Sequence, residues 1–537
     1  MTSRPLLFCL GLICSASVFA QTGFENLLNP GSQAENWLSY SRTLDNQRHS
    51  PLDQITPANV ANLQLQWVWQ AHSLEKFEAT PLVVNGVMYT VQAPNDVVAL
   101  DAVTGRLFWT YHHEPDPART CCGRVNRGLA ILDDTLFMGT VDAHLLAIDA
   151  KSGQLQWDTE VADSTRQYSI TMPPLIVEDK VIIGTAGGDL GIRGYIAAFD
   201  VHTGAELWRF YTIPAPGEPG NDSWSGTSWE QGGAAVWNAG AFDAQSRLVY
   251  FGTGNPAPDW DGRTRLGDNL FSDSVVALNV DTGTLAWHYQ FTPHDELDYD
   301  STQVPVLADM AWQGAVRRVM LWANRNGLMY VLDRTTGEFL LGKPYVEVNW
   351  MDGFDSAGRP RRVPGMVPTP AGSLVRPHVH GATNWAPPAY SPATGLFYVA
   401  HWEHSGIMAI EGQFPQALGI NNRQTTMGDI TLEPFFNNTD EAYGMIAAYD
   451  PQTLNRVWEY PLGNITWGGV LSTAGNLVFG GGKDGYFVAL DADTGELRWK
   501  ASLGGQVNAG PMTYAVNGKQ YIAIAAGTAL FTFALPE

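Results

Sequence analysis

Short apolar runs that end on an acidic or amide side chain recur through the chain. They are VVALDAVTGRLFW, LLAIDAKSGQLQW, IAAFDVHTGAELW, VVALNVDTGTLAW, MYVLDRTTGEFLL, IAAYDPQTLNRVW and FVALDADTGELRW. In six of the seven, a tryptophan stands eight residues after that Asp or Asn: Trp109, Trp157, Trp208, Trp287, Trp458 and Trp499 follow Asp101, Asp149, Asp200, Asn279, Asp450 and Asp491. The copy at Asp333 has Leu341 in that place. The local pattern predicts a hairpin. An alternating apolar strand ends at the Asp, the Asp side chain and a positive-φ Gly make the tight turn, and a second strand carries the Trp inward. One hairpin cannot bury its own Trp, so neighbouring copies must stack.

The copies are spaced by about forty to fifty residues, with longer gaps before Asn279 and Asp450. Within the second gap, GLFYVAHW and GIMAIEG read as an eighth, degenerate unit. LQLQWVWQA near the N-terminus has the Trp-bearing half of a unit, and QYIAIAAGTALFTFALPE at the C-terminus has complementary strands. Pairing the two chain ends would close a ring and leave no sheet edge exposed. The fold expected is all-β, an eight-bladed β-propeller over residues 21–537, ring closed by the terminal strands. Two Gly/Pro/Ser-rich inserts, 212–230 and 350–383, are expected to crowd one face.

The first residues, MTSRPLLFCLGLICSASVFAQTG, place Arg4 before an apolar stretch too short to span a membrane, then small residues at positions 18 and 20. This reads as a secretory signal peptide over 1–20, and it implies a periplasmic protein. Its removal takes away Arg4, Cys9 and Cys14, leaving a net charge of 30 − 54 = −24 and two cysteines, Cys121 and Cys122. Such acidity argues against nucleic acid and anionic membranes as partners. In an oxidising compartment the adjacent cysteines are expected to pair. Neighbouring Cα atoms lie only about 3.8 Å apart, so a bridge there is strained. It also closes almost no loop, and stability is a poor reason for it. With no Cys-x-x-Cys-His sequence, covalent c-type haem in this chain is not expected.

CCGRVNRG, GTAGGDLGIRGYIAAFD, GGAAVW, FGTGNP, TPHDELDYD, NRNGLMYVLDR, GATNWAP and WGGVLSTAGNLVF, taken in this order, resemble the haem-free quinoprotein alcohol dehydrogenases that use pyrroloquinoline quinone (PQQ). The resemblance runs through essentially the whole mature chain. It implies that bridged Cys121 and Cys122 lie flat against one face of the quinone and Trp237 against the other. Arg127 and Arg325 would contact the cofactor, with Arg325 near its reactive carbonyl. Thr171, Ala186, Gly187 and Gly188 would line the wall, and Glu78, Asn384 and Trp467 would make more peripheral contacts. Ala235 stands where some relatives carry a cofactor-contacting Thr.

For the metal, the resemblance implies Asp189, Asn255, Asp298 and Asp300 as oxygen ligands. Asp298 doubles as the general base, with Arg325 as its catalytic neighbour. Asp189 falls where many relatives have Glu and is one methylene shorter. Three carboxylates and one from PQQ suit a trivalent ion, yet calcium-type sugar-oxidising relatives also carry the Asp found at 300. Calcium is the expected ion and a lanthanide the alternative. The activity implied is oxidation of an alcohol to an aldehyde or ketone. Electrons would pass to a separate acceptor such as a cytochrome c. A sugar or a polymeric alcohol is the other substrate class.

Two rivals stand apart from this. A non-catalytic propeller scaffold of the outer-membrane assembly type would share the repeats but have no use for Cys121, Cys122, Asn255 or Asp298. A zinc hydrolase could draw on His378, His380, His401 and His404, but no His-Glu-x-x-His accompanies them. No Gly-rich nucleotide fingerprint opens a helix, which argues against nicotinamide dependence.

Overall fold

The computed structural model describes residues 22–116, 120, 122–410, 430–432 and 443–537. The leader 1–20 and Cys121 lie outside the described residues. Among the described residues, seven four-stranded antiparallel sheets and one five-stranded sheet succeed one another along the chain as the blades of a propeller. The first blade is typical: Leu82–Val84, Val87–Gln92, Asp96–Asp101 and Leu107–Tyr111, paired in that order. The ring closes as expected. Gln64–Gln70 runs antiparallel to Ala529–Ala534, so the last blade takes one strand from near the N-terminus and three from the C-terminus.

That closing blade is the eighth; the degenerate unit is not a blade of its own. Leu396–Glu403, which carries nearly all of GLFYVAHW, pairs with Ala389–Ser391 and Tyr443–Asp450, and so belongs to the blade of the Asp450 repeat. Gly406–Ile410, within GIMAIEG, pairs with Ser373–Val375 and Ile430–Leu432 in a separate three-stranded sheet. The strand before each repeat Asp is also not alternating. Val97, Val98, Ala99 and Leu100 are all 0–1% exposed, because blades stack on both faces of the strand. Burial on two sides selects a continuous apolar run.

The repeat tryptophans sit on the outermost strands and turn sideways. Four of them, and Trp67 of the closing blade, donate their indole N–H across to the next blade: Trp67 to Ala102 O (3.2 Å), Trp109 to Ala150 O (3.2 Å), Trp157 to Val201 O (3.1 Å), Trp208 to Val280 O (2.9 Å) and Trp458 to Ala492 O (2.9 Å). Each ring covers the turn glycine of that next blade. At Gly283, with φ +69°, a Cβ would stand 2.5 Å from the Trp208 ring. Gly283→Ala thus combines a left-handed non-Gly residue with an overpacked contact, costing about 3 kcal/mol. The expected outcome is a lowered thermal unfolding midpoint; an unchanged midpoint would show that the ring can move aside.

These Asp–Gly turns all connect the third strand of a blade to its fourth. The opposite end of the ring is built from second-to-third-strand loops and from blade-to-blade connections. Both long inserts, 212–230 and 350–383, belong to blade-to-blade connections and share that end.

Candidate functional site

Every candidate residue within the described part of the chain lies on the end opposite the Asp–Gly turns. Asp189, Asn255 and Arg325 occupy second-to-third-strand loops of three successive blades, while Glu78, Cys122, Arg127, Thr171, Trp237, Asp298, Asp300, Asn384 and Trp467 occupy blade-to-blade connections. Topology alone therefore brings segments from 78 to 467 to one place.

The loop HDELDYD is shaped by its own side chains. Asp295 accepts from Leu297 N (2.9 Å) and Tyr299 N (2.7 Å), which folds the backbone around Asp298. Tyr299 hydroxyl donates to Pro377 O and anchors the loop to the 350–383 insert. Asp298 is thereby held at φ +59°, a left-handed conformation uncommon outside glycine. The backbone tolerates it at a residue the resemblance marks as the base.

Arg325 joins the two carboxylates. Its Nη2 donates to Asp298 Oδ2 (2.9 Å), its Nη1 to Asp300 Oδ2, and its Nη2 also to Val379 O (2.6 Å). Asp300 Oδ1 accepts from Asn255 N (3.0 Å) and lies 3.5 Å from Trp237 Nε1. Asp189 sits on the one-turn helix Gly188–Leu190 after Gly187, whose Cβ would come within 2.2 Å of Gln167 O. Burial, and then the charge of Asp300, push Asp189 up to about 6. Burial holds Asp298 well above the usual carboxylate range, with Asp300 and Asp189 adding to the effect and Arg325 opposing it.

Glu78, Arg127, Thr171 and Trp237 form a second group. Arg127 is 5% exposed; its Nη1 donates to Thr171 Oγ1 (3.0 Å) and Trp237 O (3.2 Å), and its Nη2 lies 2.9 Å from Glu78 Oε2. Its guanidinium carbon stands 4.8 Å from the centre of the Trp237 ring, which is half-buried. Trp237 links the groups through its contact with Asp300. Ala186 pairs with Ser169 across the wall, and Ala235 O accepts from Gly254 N (2.7 Å). Asn384 is buried, and its amide lies 3.5 Å from His380 O. Trp467 stacks on Trp385 at 4.6 Å with 3° between planes. Cys122 is exposed and disulfide-bonded, and its partner lies outside the described residues.

Sequence reading missed two members. Trp385, within GATNWAP, also faces Arg127, at 5.6 Å. Asp259, four residues past Asn255, accepts from Asn255 Nδ2 (2.8 Å) and is 1% exposed. The Asn–Pro–Ala–Pro–Asp spacing looks like an ordinary turn, so nothing in the sequence separates it from a capping residue.

The arrangement fits both groups that the resemblance implies. Among the described residues, Asp298 Oδ1 and Asp259 Oδ2 are buried with no hydrogen-bond donor, as oxygens reserved for a cation would be, and Arg127 Nε is buried with no acceptor. Among the described residues, no three carboxylate, imidazole or thiol groups already converge as a metal shell. Arg325 and Asn255 engage the carboxylates instead.

The histidines do not make a zinc site. His401 is fully buried against Tyr449 hydroxyl (2.8 Å), apart from His378, His380 and His404, whose rings touch at 4.8 and 4.2 Å. Burial pushes His401 down to about 3. Folded His401 stays neutral while the unfolded chain takes up a proton below about 6.5. Its contribution is therefore complete above that pH and is lost as pH falls. Between pH 6.5 and 5 the loss is about 2 kcal/mol. His401→Gln keeps a partner for Tyr449 without titrating, and denaturant midpoints at the two pH values should differ less in this variant by that amount. Equal pH dependence would contradict the assignment.

Residues 37–349 and 362–522 match the family model described as PQQ: glucose/ethanol/alcohol dehydrogenase, beta-propeller domain. The chain is 39% identical to the quinohemoprotein alcohol dehydrogenase ADH-IIG of Pseudomonas putida, covering 96% of this chain and 75% of that protein. It is 36% identical to the quinoprotein alcohol dehydrogenase PedH of Pseudomonas putida, covering 98% and 92%. A europium-containing methanol dehydrogenase superposes with a TM-score of 0.87 at 30% identity, covering 95% of this chain and all of the other.

Proposed function

Because the chain belongs to the PQQ-dependent glucose/ethanol/alcohol dehydrogenase propeller family and is a PQQ-dependent alcohol oxidoreductase, we propose that it works as an exported, metal-dependent enzyme with Asp298 as its base. Residues 1–20 are the leader and 21–537 the propeller. The periplasm is its place of work, and a separate acceptor such as a cytochrome c takes its electrons. The scaffold reading gives no reason for a buried Asp298 oxygen without a donor, and that oxygen is the observation that carries the proposal.

When bound, PQQ supplies a two-electron acceptor and the metal a Lewis acid. Asp189, Asn255, Asp298 and Asp300 would hold the ion; Arg127, Thr171 and Trp237 would hold the cofactor. Asp298 Oδ1 takes the proton of the substrate hydroxyl. Arg325 fixes Asp298 through Oδ2, leaving the lone pairs of Oδ1 for the ion and the substrate proton, and its charge stabilises negative charge developing nearby. Asp295 prevents the base from turning away by holding the loop on both sides of it.

Purified protein supplied with PQQ, an artificial electron acceptor and either calcium or a light lanthanide should oxidise at least one class in a panel of primary, aromatic, polyol, sugar and polymeric alcohols. Failure on the entire panel with PQQ bound would refute the alcohol reading. Mild reduction of the Cys122 disulfide should lower turnover more than the unfolding midpoint, since a bond between adjacent cysteines closes a negligible loop. Full activity with free thiols would contradict its placement beside the cofactor.

A further inference from the structure

Asp259 has two carboxylate oxygens and only one visible duty. Oδ1 accepts from Asn255 Nδ2, while Oδ2 is buried with no donor among the described residues. Hydrogen bonding to Asn255 would be met by a neutral amide. A carboxylate here instead adds charge to a place already rich in it. It feels the charges of Asp189, Asp298 and Asp300, with Arg265 opposing them, and its carboxyl lies within hydrogen-bonding reach of Asp189. Two carboxyl groups in contact and out of water require a proton or a cation between them.

The formal charge is strongly negative. Asp189, Asp298 and Asp300 face one guanidinium, Arg325, and Asp259 faces Arg265. Behind them, Asp273 and Asp295 are both 0% exposed and share Arg265, whose guanidinium is spent on the carbonyls of Pro258, Asp259 and Asp295. Six carboxylates and two guanidinium groups leave four negative charges. A divalent ion would leave two of them unbalanced and a trivalent ion one.

We infer that Asp259 is a further carboxylate ligand of the metal centre, entering beside Asp189, and that its charge biases the centre toward a trivalent lanthanide over calcium. The inference rests on the metal-dependent reading above and extends it to a residue outside the motifs from which that reading came. A ligand at 259 complements the short carboxylate at 189, since the two come from loops of neighbouring blades and their carboxyl groups lie within hydrogen-bonding reach.

The test uses the full chain loaded with PQQ, with terbium as the trivalent probe and calcium as competitor. Tryptophan-sensitised terbium luminescence reads binding without reference to activity. The wild-type protein should bind one terbium per chain and resist displacement by an equal concentration of calcium. Coulomb attraction scales with ion charge, so if Asp259→Asn weakens calcium about tenfold, it should weaken terbium about thirtyfold. Asp259→Glu should recover most of the terbium affinity, which also controls for a folding defect in the Asn variant. Unchanged affinity for both ions in Asp259→Asn would overturn the inference and leave Asp259 as an orienting partner of Asn255. Equal loss for both ions would overturn the charge selection, as would wild-type protein that prefers calcium. Absorbance of bound PQQ, recorded on the same samples, keeps the readings apart. No PQQ in the wild type refutes the dehydrogenase reading, whereas PQQ bound with no effect of Asp259 on ions refutes this one.

Discussion

Replacing Asp298 by Asn is expected to lower kcat by about three orders of magnitude while PQQ binding stays within a few-fold of wild type. The amide keeps the shape, and its oxygen can still accept from Arg325 Nη2. The left-handed backbone at 298 is also tolerated, because Asn populates that region readily. The variant cannot take a proton from an alcohol. Its fold should be intact or better, because one carboxylate has left a crowded, buried group. The measurement is kcat with saturating acceptor beside the absorbance of bound PQQ. Retention of more than a few per cent of the wild-type rate would remove Asp298 from the role of base.

The second large effect is expected at Arg127. It is the buried cation that ties Glu78, Thr171 and the Trp237 carbonyl together, beneath the half-buried Trp237 ring. Burial pushes Glu78 toward its neutral form, and Arg127 is its main opponent. Arg127→Leu strands Glu78 without its ion-pair partner, which costs about 3–5 kcal/mol in such settings. On the proposed reading it also removes a guanidinium that would meet a cofactor carboxylate, so PQQ affinity should fall at least a hundredfold. The double variant Glu78→Leu/Arg127→Leu separates the two losses. Thermal stability should return toward wild type, because no charge is left buried alone, while PQQ affinity stays low. Recovery of both together would show that Arg127 acts on the cofactor only by supporting the fold.

The fold was legible because the propeller writes its period into the chain. The Asp, the Gly and the Trp each answer a local need, and all recur at fixed offsets. What misled was the direction of the burial. Strands such as Val97–Leu100 are covered on both faces by neighbouring blades, so they carry no alternation to read, and the tryptophans serve the next blade rather than their own. GLFYVAHW looked like a separate unit because its partner strand, Tyr443–Asp450, lies far along the chain. The clustering of the candidate residues was legible where motifs carry it: Asp298, Asp300, Asn255, Arg127 and Trp237 all lie on one end and are linked by the contacts described. Asp259 was not, since its significance depends on Asp189, seventy residues away, and only folding brings the two carboxyl groups together. Cys121 lies outside the described residues, and the bond of Cys122 is what the structure contributes there.

The most direct measurement is the amount of PQQ retained per chain after gel filtration of the full protein loaded with calcium or a lanthanide, set beside a sample treated with a chelator. The account predicts about one PQQ per chain with metal and much less after chelation, because the carboxylates of the site then repel the tricarboxylate cofactor. Protein that retains no PQQ under any metal condition would contradict it.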